Sequence, residues 1–372
     1  MTTATAPPPA AAAAGTFTIL AADKLAEQGL AYIASQPDAT LLNKPGLSEA
    51  EYAELLAGGG IHAMIVRSGI KVTAAMLKNP GDLKVIARAG VGVDNIDLPA
   101  ATAKGILVVN TAEASTLTTA EHALALLLAL ARNVGPAYRT MADGGWDRSK
   151  FSGTQLAGKT LGVVGFGRIG QTVAKRALAF DMEVVAFDPF IAAERMLDGQ
   201  VRMFRDFTAM LPECDIVSFH VPLNEHTKGM LNAETFALAK AGLLVVNAAR
   251  GGVVDEDAII PAIESGKCGG AALDVFTDEP PPADSPLRTH PKVLVTPHLG
   301  ASTKEAQVAV STDAGAAVLA YLRGEGIKGA VNAGGVRVDL TPPQQRYVDL
   351  AERMAALICP MCTRGISEAT IE

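Results

Sequence analysis

Cysteine is scarce in this chain. Four residues in 372 (Cys214, Cys268, Cys359 and Cys362) are too few to frame a disulfide scaffold, so a reducing compartment is expected. Long hydrophobic runs are missing too. The longest, 123–131 inside a helical segment that starts near Thr118, is far shorter than the roughly 20 residues a bilayer span takes. It reads as a helix buried on all sides, within one subunit or at a subunit interface. Positive charge is in deficit: 32 Lys and Arg against 39 Asp and Glu leave a net charge of −7. That balance argues against general affinity for nucleic acid. It also means that an anionic substrate must be met by a local cluster of arginines. No Lys or Arg precedes Lys24. The Ala/Pro/Thr-rich stretch 1–15 therefore lacks the basic region of a secretory signal and the arginines of a transit peptide. It reads as a disordered leader, with the cytoplasm as the expected location and an organelle left open. A metal constellation is absent as well. Cys359 and Cys362 form a lone C-x-x-C pair, whereas zinc takes about four ligands.

What is present points to a layered α/β protein. Hydrophobic residues make up 49% and charged residues 19%, the balance of a soluble enzyme with buried parallel strands, and the length allows two domains. From Thr16 apolar strands alternate with helical segments, with strands at 17–20, 62–66, 83–87 and 106–110. A second series begins at 161–164 and continues with 184–187, 216–219, 243–246, 271–273 and 293–295. Repeated βα units predict doubly wound parallel sheets, and such sheets bind ligands beyond the carboxyl ends of their strands. Arg67 and Arg88 stand at two such ends.

Gly165-Phe166-Gly167-Arg168-Ile169-Gly170 follows an apolar strand and opens a helix. In such a hexapeptide the first glycine makes a tight turn. The second lets the backbone approach a pyrophosphate, and the third allows close packing of helix on strand, with the helix N-terminus facing the phosphates. The next strand ends at Asp188, twenty-one residues after Gly167, where an acid meets the ribose hydroxyls. A carboxylate there repels a 2′-phosphate, so NAD is expected over NADP, although Arg168 or Arg195 could still reach such a phosphate.

Three ionisable residues sit in distinctive settings further on. Arg250 lies in Asn247-Ala248-Ala249-Arg250-Gly251-Gly252, Glu279 precedes Pro280-Pro281, and His298 lies in Pro297-His298-Leu299-Gly300-Ala301. A cation, a carboxylate and an imidazole are what the oxidation of a 2-hydroxy acid calls for. The guanidinium grips a carboxylate at two points, the imidazole moves a proton near neutral pH, and the second carboxylate orients the imidazole. The glycines after Arg250 suggest backbone approaching a ligand. Asp274, in Leu273-Asp274-Val275, either faces a nicotinamide amide or caps a turn. His220, at a strand end, lines the cofactor cleft. His62, His122, His226 and His290 are assigned to packing under loops.

These motifs, with Ile65-Val66-Arg67-Ser68, 87–97 (Ala-Arg-Ala-Gly-Val-Gly-Val-Asp-Asn-Ile-Asp), 273–276 and 297–303, closely resemble the D-2-hydroxyacid dehydrogenase family over about 16–340. The resemblance implies a Rossmann NAD-binding domain (113–302) inserted into a flavodoxin-like substrate domain (16–112 and 303–340) and hinged over the cleft. Residues 341–372 would be the truncated start of a regulatory region. It implies that Arg250 binds the substrate carboxylate, His298 shuttles the proton and Glu279 supports His298. Val221, Pro222, Ala248, Ala249, Asp274, Gly300 and Ala301 would join the fingerprint, Asp188 and His220 around NAD. Arg67, Ser68, Arg88, Gly90, Val91 and Gly92 would hold the far end of a phosphorylated 2-hydroxy acid. A homodimer or homotetramer built largely on the helix after Thr118 is implied as well. Two other readings stay open: a reductase of an unphosphorylated substrate such as hydroxypyruvate or glyoxylate, and an NAD-sensing scaffold or corepressor on the same fold.

Overall fold

The structure, a computed structural model, describes residues 17–191 and 193–333, and beyond them Arg346, Leu350 and Arg353. The leader, most of 341–372 and the Cys359/Cys362 pair lie outside the described residues. The described chain forms two compact units. One comprises 17–115 and 304–333, and the other is Thr116–Thr303.

The first unit holds five parallel strands: β1 (Phe17–Ala21), β2 (Ala39–Asn43), β3 (Ala63–Val66), β4 (Val85–Arg88) and β5 (Leu107–Asn110), in the order β2-β1-β3-β4-β5. The central strands are buried on both faces. Leu20, Met64, Val66, Ile86 and Val108 enter one apolar cluster, and Ile19, Ile65, Val85, Ala87 and Val109 enter the other. Local signals set the helices between them. Ser48 and Glu51 form a reciprocal capping box at the start of helix Glu49–Ala57, and Asp97 caps Leu98–Ala103. Helix Lys304–Leu322 packs against helix Glu27–Ala34, and a Cβ at Gly29 would fall 2.4 Å from that of Ser311. Just past that helix, Arg323 grips Asp38 at two points (2.6 and 2.8 Å), pinning the chain beside the start of β2.

The second unit opens with helix Thr116–Ala131. Its sheet contains β6 (Thr160–Val164), β7 (Glu183–Phe187), β8 (Arg195–Met196), β9 (Val201–Phe204), β10 (Ile216–Phe219), β11 (Leu243–Asn247), β12 (Cys268–Leu273) and β13 (Val293–Val295). The order is β13-β12-β11-β10-β6-β7-β9-β8, all parallel except the β8–β9 pair. Chain order reverses beside β6, so the switch point of the sheet lies between β6 and β10, where ligands bind in doubly wound folds.

Eight strands stand where six were expected, and β2 in the first unit was not anticipated. The additional strands lie at sheet margins, are short or half-exposed, and mix polar with apolar residues, so they lack the continuous apolar run that betrays a buried strand. The apolar run 123–131 is spent largely in its own unit. Ala123, Leu124, Leu126, Leu127 and Ala131 are buried, and their helix packs against helix Arg168–Leu178, β11 and β12. Among the described residues, no helix is long and apolar enough to cross a membrane.

Candidate active site

The Gly165 fingerprint follows β6, and its three glycines meet three different demands. Gly165 has φ +87°, and a Cβ there would lie 2.6 Å from the His220 carbonyl oxygen, so the turn is both left-handed and pressed against the end of β10. Gly167 begins helix Arg168–Leu178 without a side-chain cap, and no atom lies within 4 Å of the place its Cβ would take. Gly170 packs on the turn itself, since a Cβ there would come within 2.0 Å of the Gly165 carbonyl oxygen. Ile169 sits half-buried beside them. Asp188, one residue past β7, accepts the Phe166 N–H at 2.9 Å and the Phe190 N–H at 3.0 Å, so the acid is fixed against the fingerprint turn. An uncapped helix start, open space at Gly167 and a carboxylate beside the turn suit a dinucleotide's pyrophosphate and ribose.

His220 follows β10. Its N–H donates to the Val164 carbonyl (2.7 Å) and its Nε2 lies 2.9 Å from Ser218 Oγ. Part of the residue reaches solvent, but burial of the ring lowers its pKa to about 4, which keeps it neutral. Val221 presses on Gly165, and the Pro222 carbonyl accepts the Thr227 hydroxyl at 2.6 Å.

Arg250, Glu279 and His298 occupy the turns after β11, β12 and β13, which pair in register with Asn247 opposite Leu273 and Leu273 opposite Val295. Asn247 shapes the first turn: its Oδ1 accepts the Ala249 N–H (3.1 Å) and its Nδ2 donates to the Arg250 carbonyl (2.9 Å). Ala248 is buried, and Arg250 Nη1 donates to the Ala249 carbonyl at 2.6 Å. At Gly251 the structure corrects the sequence reading. A Cβ there would fall 1.9 Å from the Phe276 carbonyl carbon, so the glycine lets the Arg250 turn abut the turn after β12 rather than a ligand. From that second turn the Phe276 N–H donates to Glu279 Oε1 (3.1 Å), and Glu279 Oε2 lies 2.7 Å from His298 Nδ1. Backbone packing at Gly251 thus links the first turn to the second, and the Glu279–His298 hydrogen bond links the second to the third. Both partners of the His298–Glu279 pair are partly exposed.

Asp274, directly after β12, is fully buried. Its Oδ1 accepts the Thr296 hydroxyl (2.5 Å) and the Leu299 N–H (2.8 Å), and its Oδ2 accepts the Gly300 N–H (2.8 Å). His122 Nε2 lies 3.0 Å from Oδ1. Burial pushes the Asp274 carboxyl up, but hydrogen bonds from His122, Thr296 and Leu299 outweigh it and leave the pKa below the ordinary carboxylate value. His122 is therefore a second correction: it holds a buried carboxylate instead of merely packing. Ala301 follows Gly300 in the same turn, partly exposed.

In the first unit, Arg88 ends β4 and Arg67 follows β3. Asp23 fixes the Arg67 turn by accepting the N–H groups of Arg67 (3.1 Å) and Gly69 (2.9 Å), and Asn95 Nδ2 donates to the Arg67 carbonyl (2.7 Å). Ser68 is exposed. The Gly90 N–H donates to Thr111 Oγ1 (2.8 Å), and the Val91 carbonyl accepts from Asn110 Nδ2 (2.7 Å), with Gly92 partly exposed beside it. Asp23, Asn95, Thr111, Asn247 and Thr296 were not singled out from sequence. Single Asp, Asn and Thr residues at strand ends carry no signal until the turns they hold are known. Among the described residues, no group of three His, Cys, Asp or Glu side chains is arranged to hold a metal ion.

Residues 124–300 match the D-isomer specific 2-hydroxyacid dehydrogenase, NAD binding domain. The chain belongs to that family. It is 45% identical over 319 residues to the D-3-phosphoglycerate dehydrogenase of Rattus norvegicus, an alignment covering 86% of this chain and 59% of the relative. It spans little more than half the length of several such relatives. The TT0316 protein of Thermus thermophilus shares the fold at TM-score 0.76 and 35% identity, over 85% of this chain and 100% of that one. A glyoxylate reductase of Paecilomyes thermophila matches at TM-score 0.77 and 27% identity, over 86% and 99%. As a member of this dehydrogenase family the chain carries an NAD-binding domain, and the fingerprint, Asp188 and the turns after β10 to β13 lie within it.

Proposed function

We propose that the protein oxidises 3-phospho-D-glycerate to 3-phosphohydroxypyruvate with NAD, the first step of serine biosynthesis. The observation that carries the reading is the 2.7 Å pair of His298 and Glu279, joined through the Phe276 turn to Arg250. With Nδ1 engaged by Glu279, Nε2 of His298 is the nitrogen that takes the C2 hydroxyl proton. Glu279 fixes the tautomer and supports the imidazolium that forms. Arg250 holds the C1 carboxylate. The bound dinucleotide supplies the hydride acceptor, so loss of a hydride from C2 and a proton from its oxygen leaves a carbonyl. Arg67 and Arg88 supply the local positive charge that a phosphate needs on a chain of net charge −7. Asp188 selects NAD over its 2′-phosphorylated form.

An assembly of two or four copies goes with this reading. Helix Val134–Ala142 buries no residue, and Val134, Tyr138, Met141 and Trp146 are exposed on and just after it. This apolar face suits a second copy better than the helix before it, where Leu117 is exposed but most apolar side chains are buried or half-buried. The buried thiols Cys214 and Cys268 suit a reducing cytoplasm.

The test is kcat/KM with NAD for 3-phosphoglycerate, beside NADH-driven reduction of hydroxypyruvate and glyoxylate. A strong preference for the phosphorylated pair is expected. Preference for hydroxypyruvate or glyoxylate would make the protein a reductase with the same three residues. NAD binding without turnover would favour the scaffold.

A further inference from the structure

His298 lies in the left-handed region, with φ +54°. Few residues other than glycine adopt that conformation, and histidine is one of those that tolerate it, so what holds this one there can be read from its hydrogen bonds. Here the surroundings converge on one residue. The Asp274 main-chain oxygen accepts the His298 N–H at 2.9 Å, and its two carboxylate oxygens accept the N–H groups of Leu299 and Gly300, the next two residues, at 2.8 Å each. Thr296, two residues before His298, donates its hydroxyl to the same carboxylate. Four bonds from Asp274 thus hold the turn on both sides of His298.

A carboxylate this deeply buried needs a partner of its own. It has one in His122, midway along the apolar helix Thr116–Ala131. That side chain is 19% exposed, and its Nε2 is 3.0 Å from Asp274 Oδ1 and 3.3 Å from Thr296 Oγ1. A carboxylate oxygen only accepts, so Nε2 carries the proton and donates it. The same helix supports the turn directly, since Thr119 Cγ2 lies 3.4 Å from the position a Cβ of Gly300 would take. The reaction proposed above leaves His122 with no role.

We propose that His122 is a positioning residue for His298. By donating to Asp274 it fixes the carboxylate that clamps Leu299 and Gly300, and the clamp keeps His298 in the left-handed turn from which Nδ1 meets Glu279. The kinetic half of this inference rests on the reading of His298 as the proton-transferring group. The geometric half does not.

The experiment compares the full-length His122→Leu, His122→Gln and Thr296→Val variants with the parent. The readouts are kcat, KM for NAD, and crystal structures reporting the His298 φ and the Nδ1–Oε2 separation. Leucine removes the donor, glutamine restores one near the position of Nε2, and valine removes the hydroxyl from the same carboxylate. His122→Leu is expected to lower kcat about tenfold or more with KM for NAD within about twofold, and His122→Gln to recover most of the loss. In the leucine variant His298 should leave its left-handed conformation or separate from Glu279. Parental kcat and turn geometry in His122→Leu would overturn the proposal. So would a rise in KM for NAD at unchanged kcat, which would assign the carboxylate to the cofactor, or a glutamine variant no better than leucine. If His122→Leu does not fold, Thr296→Val decides in its place, with loss of kcat and a displaced turn supporting the clamp and parental behaviour overturning it. If the parent turns over no 2-hydroxy acid, the substrate reading fails by itself, and the turn geometry of the variants still decides whether His122 holds His298 in place.

Discussion

The guanidinium of Arg88 fills the space that a side chain at Gly90 would need. A Cβ at Gly90 would fall 1.4 Å from Arg88 Nη1 and 2.7 Å from Cζ. The arginine therefore lies back across the strand end that carries it, over a residue at φ +144° whose N–H is held by Thr111. Glycine at 90 sets the direction of the arginine at 88.

Gly90→Ala must then push the guanidinium aside. If Arg88 holds the phosphate, KM for 3-phosphoglycerate should rise about tenfold in Gly90→Ala and further in Arg88→Ala, with a smaller change for an unphosphorylated 2-hydroxy acid. Steady-state kinetics on both substrates check this, and equal losses on both would remove Arg88 from phosphate binding.

If His298 transfers the proton, replacing its imidazole should cost the chemical step and spare the cofactor. His298→Asn is expected to lower kcat by about 10²–10⁴-fold with NAD affinity unchanged. Glu279→Gln should fall between it and the parent, because the amide still has an oxygen that can accept from Nδ1 but no charge. Single-turnover rates and fluorescence titration with NADH separate the two effects. A kcat for His298→Asn close to the parent's would exclude that role.

The fingerprint glycines should respond to alanine in opposite ways. A methyl at Gly170 meets the Gly165 carbonyl oxygen at 2.0 Å, and backbone cannot rotate away. Gly170→Ala should therefore lose about 1–3 kcal/mol of stability, seen as a lowered Tm. A methyl at Gly167 meets no protein atom within 4 Å. Gly167→Ala should keep its Tm and weaken NAD binding, because the methyl enters the space assigned to the pyrophosphate. Calorimetry with and without NAD distinguishes the two, and an unchanged NAD affinity in Gly167→Ala would move the pyrophosphate elsewhere.

His220 should make stability depend on pH. Its folded pKa of about 4 lies below the ordinary histidine value of 6.5. The unfolded chain therefore binds a proton that the folded chain refuses between those values, so stability rises with pH across this window. The contribution is fully present above about pH 6.5 and is lost as pH falls through about 4. Denaturation curves at several pH values should be flatter over that range for His220→Gln than for the parent. Parallel curves would show that the ring titrates normally in the fold.

The sequence by itself determined the periodic parts of this protein. Continuous apolar runs marked the buried strands, glycine spacing with an acid at the end of the next strand marked the candidate dinucleotide site, and Arg250, Glu279 and His298 stood out because each follows a buried strand in an unusual turn. These signals are local, so they survive without knowledge of what packs against them. Tertiary structure alone decided the rest. The marginal strands β2, β8 and β9 exist because a neighbouring strand offers backbone partners, not because their residues demand burial. Gly251 is glycine because the Phe276 backbone lies against it, and Gly90 because Arg88 folds over it. His122 looked like one packing histidine among four until the fold brought Asp274, 152 positions away in sequence, to 3.0 Å from its Nε2. A hydrogen bond between residues so far apart leaves no trace in either local sequence, because only the packing of helix on strand end makes them neighbours.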